Sequence, residues 1–158
     1  MHVREATLAD APGIARVHVD SWRTTYPGIV PQAFLDSISY AQRETMWRQI
    51  LSPHSGEAPL SQVFVAQDTS DRIVGFVSGG DVQGSYPPYD GELYAIYLLK
   101  ESQRQGIGQR LTRTLVKRLL ARDVKACCSG CWLTIPPVDF TRALAAMWHT
   151  NAVQRSVE

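Results

Sequence analysis

Residues 91 to 120 hold a period-two segment, a glycine loop and an amphipathic helix in direct succession. The segment GELYAIYLL (91–99) alternates with period two, which predicts a central strand. The loop QRQGIGQRL follows with Gly106 and Gly108. The predicted helix turns four leucines inward: Leu111, Leu115, Leu119 and Leu120. A strand that passes through glycines directly into a helix restricts the chain to folds that combine both elements.

Two helical regions are predicted upstream of this unit. After a short strand at 2–5, Thr7 and Asp10 form a capping-box-like signal for an amphipathic helix over 8–25. A second helical region runs in two pieces, over 31–38 and 40–51. Its predicted apolar face consists of Phe34, Leu35, Ile38, Met46, Trp47 and Ile50.

Two further strands complete the pattern and determine the fold class. QVFVAQD (62–68) and RIVGFVSGGDV (72–82) predict a hairpin joined by TSD. The order of elements predicts an α+β fold with a mixed, mostly antiparallel sheet flanked by helices. The 158 residues indicate a single domain over 1–158.

Charge and hydropathy give no indication of a nucleic-acid or membrane partner. The net charge of +1 gives no indication of nucleic-acid binding, and no apolar run reaches the length of a membrane-spanning helix. The opening MHVREATLAD lacks the apolar core of a secretory signal, so a cytoplasmic location is expected. The four histidines show no metal-binding spacing, and no metal site is predicted.

The glycine loop has the composition of an anion site. Glycines let the backbone approach a ligand closely, and the first amides of a helix have no internal partner. Arg104 and Arg110 add positive charge. A P-loop would need Gly-Lys-Ser/Thr, and a dinucleotide-binding fingerprint would need glycine or alanine where Leu111 stands. A phosphate-binding loop and an ordinary helix start both remain open on these residues alone.

Three separate segments resemble the GNAT-type N-acetyltransferases. Residues 103–108 match the Gln/Arg-x-x-Gly-x-Gly/Ala pyrophosphate loop of that family, and ELYAIYLLKESQ resembles its fourth strand. The opening VREATLADAPGIARVHVDSWRTTYPGIVP resembles the start of many bacterial members. The resemblance covers about residues 1–125. Lys100 and Ser102 depart from it, because proline and an aromatic residue are common there.

The resemblance implies acetyl transfer from acetyl-CoA to a primary amine on a small molecule or a peptide, in a family where homodimers are common. A catalytically impaired acyl-CoA- or nucleotide-binding domain of the same fold is the alternative. The resemblance assigns cofactor binding to Tyr97, Leu98, Leu99, Gln103, Arg104, Gln105, Gly106, Ile107, Gly108, Gln109 and Arg110. It also makes the Leu98 amide the expected donor to the thioester oxyanion.

Acetyl transfer needs a neutral amine, and a lysine-like amine with a pKa of about 10.4 is mostly protonated at neutral pH. Glu92, at the start of the central strand, is the candidate general base, with a solvated strand end as the alternative. Trp22, Tyr26 and Tyr94 are expected to line the acceptor pocket. Aromatic core packing is the competing interpretation for these rings.

The tail contains every cysteine of the chain: Cys127, Cys128 and Cys131. An odd number of cysteines without export argues against a disulfide framework. Cys-Cys-x-x-Cys also lacks a nearby fourth ligand for zinc. These cysteines are therefore not predicted to form a site.

The tail also lacks the end of the family pattern. A GNAT-type chain continues with a fifth strand, an asparagine-rich turn and a helix whose tyrosine commonly protonates the leaving thiolate, but ACCSGCWLTIPPVDFTRALAAMW shows none of these. A shifted reading frame forms each codon from the third base of one codon and the first two bases of the next. From Ala126 onward, codon degeneracy permits this frame to encode Met-Leu-Leu-Trp-Val-Leu-Ala-Asp-Asn-Pro-Ala-Arg-Arg-Phe-Tyr-Glu-Ser-Leu-Gly-Gly. We therefore hypothesise a frameshift near Lys125, in the gene or its reported sequence. As it stands, 126–135 could form a strand and 139–148 a helix.

Overall fold

Five strands lie in one sheet in the order of the sequence, β1-β2-β3-β4-β5, in the computed structural model. The structure describes residues 1–52, 61–83, 89–124 and, for the backbone alone, 127–129. The strands are β1 (His2–Glu5), β2 (Ser61–Gln67), β3 (Ile73–Asp81), β4 (Gly91–Leu98) and β5 (Cys127–Ser129). The helices are α1 (Ala11–Thr25), α2 (Gln32–Ser37), α3 (Tyr40–Leu51) and α4 (Ile107–Leu120), with short 3-10 turns at Leu8–Asp10 and Lys100–Ser102.

The first four strands are antiparallel neighbours, and β5 runs parallel to β4. Helices α1 and α3 cover one face of the sheet, where the Phe76 ring of β3 contacts His18 and Trp47. Helix α4 covers the other face, where Leu115 lies close to Gly79. This arrangement agrees with the predicted α+β class.

The start of α1 is held by the residues that formed its predicted cap. The Thr7 amide and hydroxyl donate to the Asp10 carboxylate at 2.7 and 2.9 Å, and the Asp10 amide donates to the Thr7 carbonyl at 2.9 Å. Arg4 of β1 adds a two-pronged ion pair to the same carboxylate at 2.7 and 2.8 Å. Asp10 therefore ties the first strand to the first helix.

Two residues predicted to face the core are exposed instead. Phe34 is 46% exposed, because the six-residue α2 lays its ring against Trp22 and solvent, while Leu35 turns inward. Leu120 is 43% exposed. Helix α4 ends there, and buried Val124 folds back with its amide bonded to the Leu119 carbonyl.

In the tail, the predicted strand over 126–135 is described only at Cys127–Ser129, where a β-strand is present. The predicted helix over 139–148 lies outside the described residues. Among the described residues, no helix combines the length and apolar character needed to cross a bilayer.

Candidate functional site

The far end of β4 is an open edge of the sheet in the part of the chain that the structure describes. Strand β5 pairs with β4 only along Gly91–Leu93. Beyond that point, as far as Leu98, β4 has β3 on one side and no described strand on the other. An extended ligand can pair with the backbone of such an edge.

Leu98 directs its backbone toward this open edge. The Leu99 amide donates to the Val74 carbonyl of the sheet at 2.9 Å, and successive residues of a strand point their amides to opposite sides. The Leu98 amide therefore points away from β3. The Leu98 carbonyl accepts from Ser21 Oγ at 3.2 Å and from Gln103 Nε2 at 3.3 Å. Of the predicted cofactor contacts at this edge, Leu98 thus faces outward, and the Leu99 amide is used within the sheet.

A left-handed glycine turn leads from this edge into α4. Gly106 has a φ of 73°, and a Cβ there would have no neighbour within 4 Å. The first bond of the helix joins the Arg110 amide to the Gly106 carbonyl at 3.1 Å, so the amides of Ile107 and Gly108 point out of the helix N-terminus. The side chains of Arg104 and Arg110 are exposed near this turn. Backbone donors, a positive dipole end and two cations together suit a pyrophosphate.

Glutamine side chains connect the loop to the residues that precede it. Gln105 Nε2 donates to the Glu101 carbonyl at 3.1 Å, in parallel with the bond from Gln103 to Leu98. The side chain of Gln109, on the first turn of α4, is exposed. Of the predicted loop residues, Arg104, Gln105, Gly106, Gln109 and Arg110 are exposed between β4 and α4, while the Ile107 side chain is buried in the core.

A bulge in β4 determines the face of the sheet on which Glu92 lies. Tyr97 pairs with Phe76 and Glu92 pairs with Gly80, and a register shift between these pairs leaves Tyr94 as one extra residue. Directly opposed residues share a face, and Phe76 and Gly80 are four residues apart on β3. Glu92 therefore faces the same side as Tyr97, toward α1. Without the extra residue it would face α4.

The carboxylate of Glu92 is held in position by a backbone bond. The Gln83 amide donates to Glu92 Oε2 at 2.8 Å, and the Glu92 side chain is half-buried. The opposed Gly80 contributes no side chain that would cover it. A carboxylate oriented by one amide can still accept a proton from an amine or a water molecule.

An aromatic cluster connects α1 and α3 to β4. Trp22 Nε1 donates to the Tyr97 hydroxyl at 2.9 Å, and His18 stacks on the Tyr97 ring at 5.1 Å between centroids. Trp47 Nε1 donates to His18 Nδ1 at 3.2 Å. Burial, with a smaller effect of the Arg43 charge, lowers the pKa of His18 to about 4. The imidazole is therefore neutral at neutral pH, as its role as a hydrogen-bond acceptor requires.

His18 is a residue that the sequence analysis missed as part of this region. The spacing of the four histidines bears on metal binding alone, which is unrelated to the contacts of His18. The available signal was its position on α1, four residues after Ile14 and four before Trp22, on the buried face of an amphipathic helix.

The three residues predicted to line the acceptor pocket occupy different surroundings. The rings of Trp22 and Tyr26 are 4.8 Å apart and half-buried, packed against a small apolar cluster of Val19, Leu35 and Ile38. The Tyr94 hydroxyl donates to the Asp81 carbonyl at 2.5 Å at the bulge. Trp22 and Tyr26 thus combine core packing with a partly accessible surface. Tyr94 belongs to the neighbourhood of Glu92.

The chain belongs to the acetyltransferase (GNAT) family, because the model of that family matches residues 18–139. It is 50% identical over 109 residues to "Uncharacterized N-acetyltransferase YuaI" of Bacillus subtilis (strain 168), a match that covers 69% of this chain and 58% of that protein. It is 28% identical over 111 residues to "Probable N-acetyltransferase Rv2775" of Mycobacterium tuberculosis, covering 70% and 60%. The chain thus spans about three fifths of the length of these curated relatives. The predicted family is confirmed.

Solved structures of acetyltransferases share the fold. The PaiA N-acetyltransferase of Thermoplasma acidophilum, solved with coenzyme A, matches with a TM-score of 0.69 and 16% identity over 93% of this chain and 86% of that chain. The aminoglycoside 6'-N-acetyltransferase AAC(6')-IG of Acinetobacter haemolyticus matches with a TM-score of 0.63 and 15% identity over 96% and 91%. The predicted α+β, GNAT-like fold is confirmed. The roles of individual site residues stay predictions.

Proposed function

We propose that this chain transfers an acetyl group from acetyl-CoA to a primary amine. Its family supports acetyl transfer as the reaction class, and a protein of the same fold has been solved with coenzyme A. The observation that carries the proposal is the junction of β4 and α4. There the edge-facing amide of Leu98 is followed by the glycine turn at Gly106.

The glycine turn accounts for binding of the cofactor's phosphates. The amides of Ile107 and Gly108, at the N-terminus of α4, would donate to the pyrophosphate. Arg104 and Arg110 would add charge from the exposed side of the same turn. The open edge of β4 would pair with the pantetheine arm as an added strand.

The reaction itself requires one proton acceptor and one stabiliser of negative charge. Acetyl-CoA supplies an activated thioester. The amine nitrogen forms a bond to its carbonyl carbon, the carbon–sulfur bond breaks, and CoA leaves as a thiolate that takes a proton from water. The Leu98 amide would stabilise the oxyanion as it forms. Glu92, held by the Gln83 amide, pairs with Gly80 while Leu98 pairs with Gly75, so the two residues lie roughly 17 Å apart along the sheet. Glu92 would therefore remove the amine proton through a chain of water molecules.

The fold does not specify the acceptor. Two structures that share it are named for different acceptors, an aminoglycoside and, in the Brucella melitensis protein, ribosomal-protein alanine. Function in such a family resides in the site and not in the scaffold. A small molecule and a peptide both fit the proposed reaction.

A second candidate function is binding of acyl-CoA without turnover. Two observations favour it. In the described part of the chain, β5 pairs with β4 over three residue pairs alone. The sequence over 126–158 also has no equivalent of the tyrosine that commonly protonates the leaving thiolate in this family.

Two measurements on the purified chain distinguish these functions. Release of the CoA thiol is followed over a panel of amines, and acetyl-CoA is titrated in a calorimeter. Thiol release that depends on the amine supports acetyl transfer. Binding without thiol release supports the second function. A chain that binds no acetyl-CoA has neither function.

A further inference from the structure

A cavity of about 210 Å³ opens between α2 and the start of α3. Its lining is formed by Phe34, Ser37, Ile38, Gln42 and Arg43. None of these residues belongs to the glycine turn or to β4. The lining is mainly polar, with one cation and one partly exposed aromatic ring, which is a composition that suits an anionic group on an apolar stem.

Arg43 has no carboxylate partner among the described residues. The residue is half-buried, and its Nη1 donates to Met46 Sδ at 3.6 Å, although thioether sulfur is a weak acceptor. On the same helix, Arg48 pairs with Glu44 at 2.8 Å. Removing a guanidinium from water without an anion is unfavourable. A cation in the first turn of α3 also opposes the helix dipole, so helix stability does not explain Arg43.

We propose that this cavity binds a carboxylate group carried by the acceptor amine. This inference rests on the proposed acetyl transfer and adds the chemical class of the acceptor. Arg43 supplies a charge-assisted pair of donors, and the neighbouring Gln42 side chain supplies an amide donor. The exposed ring of Phe34 packs against the apolar stem of the acceptor.

The position of the cavity determines where the carboxylate and the amine lie on the acceptor. The Phe34 ring at the cavity is 5.9 Å from the Trp22 ring, and Trp22 Nε1 contacts the Tyr97 hydroxyl on β4. The cavity and Tyr97 of β4 are thus separated by Trp22, a span of two ring spacings or roughly 10 Å. An acceptor that reaches both places needs several bonds between its amine and its carboxylate, so linear ω-amino acids of different lengths are suitable probes of this class.

The test compares 6-aminohexanoate and 8-aminooctanoate with the corresponding amides, which keep the length and lose the charge. CoA-thiol release is measured for the wild type, for R43M, which keeps an apolar stem at this position, and for R48M as the matched control on α3. We expect the wild type to prefer the acids by about tenfold or more in kcat/KM. R43M loses this preference and keeps its rate with the amides, and R48M behaves as the wild type.

Calorimetric titration of the same acids and amides separates this inference from the proposed function. Tighter binding of the acids to the wild type, reduced in R43M, supports the carboxylate site even if no acetyl group is transferred. Equal use or equal binding of acids and amides by the wild type overturns the carboxylate site and leaves acetyl transfer intact. A preference that survives in R43M also overturns it. The wild-type comparison needs no variant, so it decides the matter if R43M does not fold.

Discussion

Glu92 is the residue on which the proposed chemistry depends most directly. Its carboxylate lies on the α1 side of β4 and is oriented by the Gln83 amide at 2.8 Å. Neither feature can be predicted from a glutamate at the start of a strand. The face on which Glu92 lies depends on the extra residue at Tyr94, and its hydrogen bond depends on the path of the chain after β3. The position of Glu92 is compatible with a base that takes up the amine proton through bound water.

Glu92→Gln is expected to lower kcat for amine acetylation by about a hundredfold near neutral pH, the lower range for loss of a general base. The defect should shrink as the pH rises toward about 10, where the amine deprotonates in solution. The pH profile of CoA-thiol release measures both effects. Glu44→Gln, which removes an exposed partner of Arg48, serves as the control. An equal defect at every pH would argue for a structural role of Glu92.

Asp10 provides a second test at a single residue, this time of stability. The hydrogen bond from Arg4 is the largest cause that lowers the pKa of Asp10 to about 2, and the Thr7 amide and hydroxyl contribute in the same direction. The usual pKa of an unfolded aspartate is about 3.9. Since the folded-state pKa is depressed, the carboxylate stabilises the fold fully above that pH, and the stabilisation is lost as the pH falls through about 2.

Asp10→Asn should therefore reduce the free energy of unfolding by about 2 kcal/mol at pH 7, and by progressively less between pH 5 and pH 2. Urea unfolding at several pH values measures the difference from the wild type. Asp36→Asn, at an exposed position bonded to Gln32, should show little loss. A loss at Asp10 that does not vary with pH would contradict the charge-based explanation.

At the scale of elements, the order of strands and helices was predictable, and so was the glycine turn. The periodicity of each segment reports local burial, and that is sufficient for the α+β class. The bulge at Tyr94 was not predictable, because an extra residue in a strand leaves the composition unchanged and appears only in the pairing with β3. The exposure of Phe34 and Leu120 also depends on tertiary packing, which helical spacing does not report.

The glycine turn between β4 and α4 gives the sharpest prediction at this scale. A side chain at Gly106, where φ is 73°, costs about 1 kcal/mol in backbone strain, although a Cβ there meets no other atom. Relief of that strain would rotate the Ile107 and Gly108 amides away from the pyrophosphate. Gly106→Ala should therefore weaken acetyl-CoA binding about tenfold in calorimetry, as expected for loss of about one charged hydrogen bond.

Gly28 offers a matched control, because its φ is 79° and a Cβ there also meets nothing within 4 Å. Gly28→Ala should lose a similar amount of stability in urea while acetyl-CoA binding is unchanged. If both variants bind acetyl-CoA as the wild type does, the turn at Gly106 has no part in cofactor binding.

For the molecule as a whole, the packed core before the tail contrasts with the short strand that the structure describes within the tail. Through residue 124 the described elements pack around a main core that includes both faces of the sheet and a smaller cluster of Val19, Leu35 and Ile38. At Cys127–Ser129 the backbone adds a fifth strand, in the place that the family pattern also assigns to a strand. A short parallel pairing requires only an extended backbone, so it is compatible with either reading frame. The coding DNA distinguishes the two frames.

The frameshift near Lys125 remains our hypothesis and has a direct test in that DNA. The alternative frame gives Met-Leu-Leu-Trp from Ala126 only if Ser129 is encoded by a TCN codon, since AGC or AGT would place Gln or a stop codon at the second leucine. The family model extends to residue 139, so the codons and not the protein comparison must decide.

We expect the shifted frame to give the asparagine-rich turn and the tyrosine continuously beyond residue 126. The same shift applied to the codons of residues 100–124 is the control, and it should produce no family-like segment. An AGC or AGT codon at Ser129 would show that the tail is encoded as it stands.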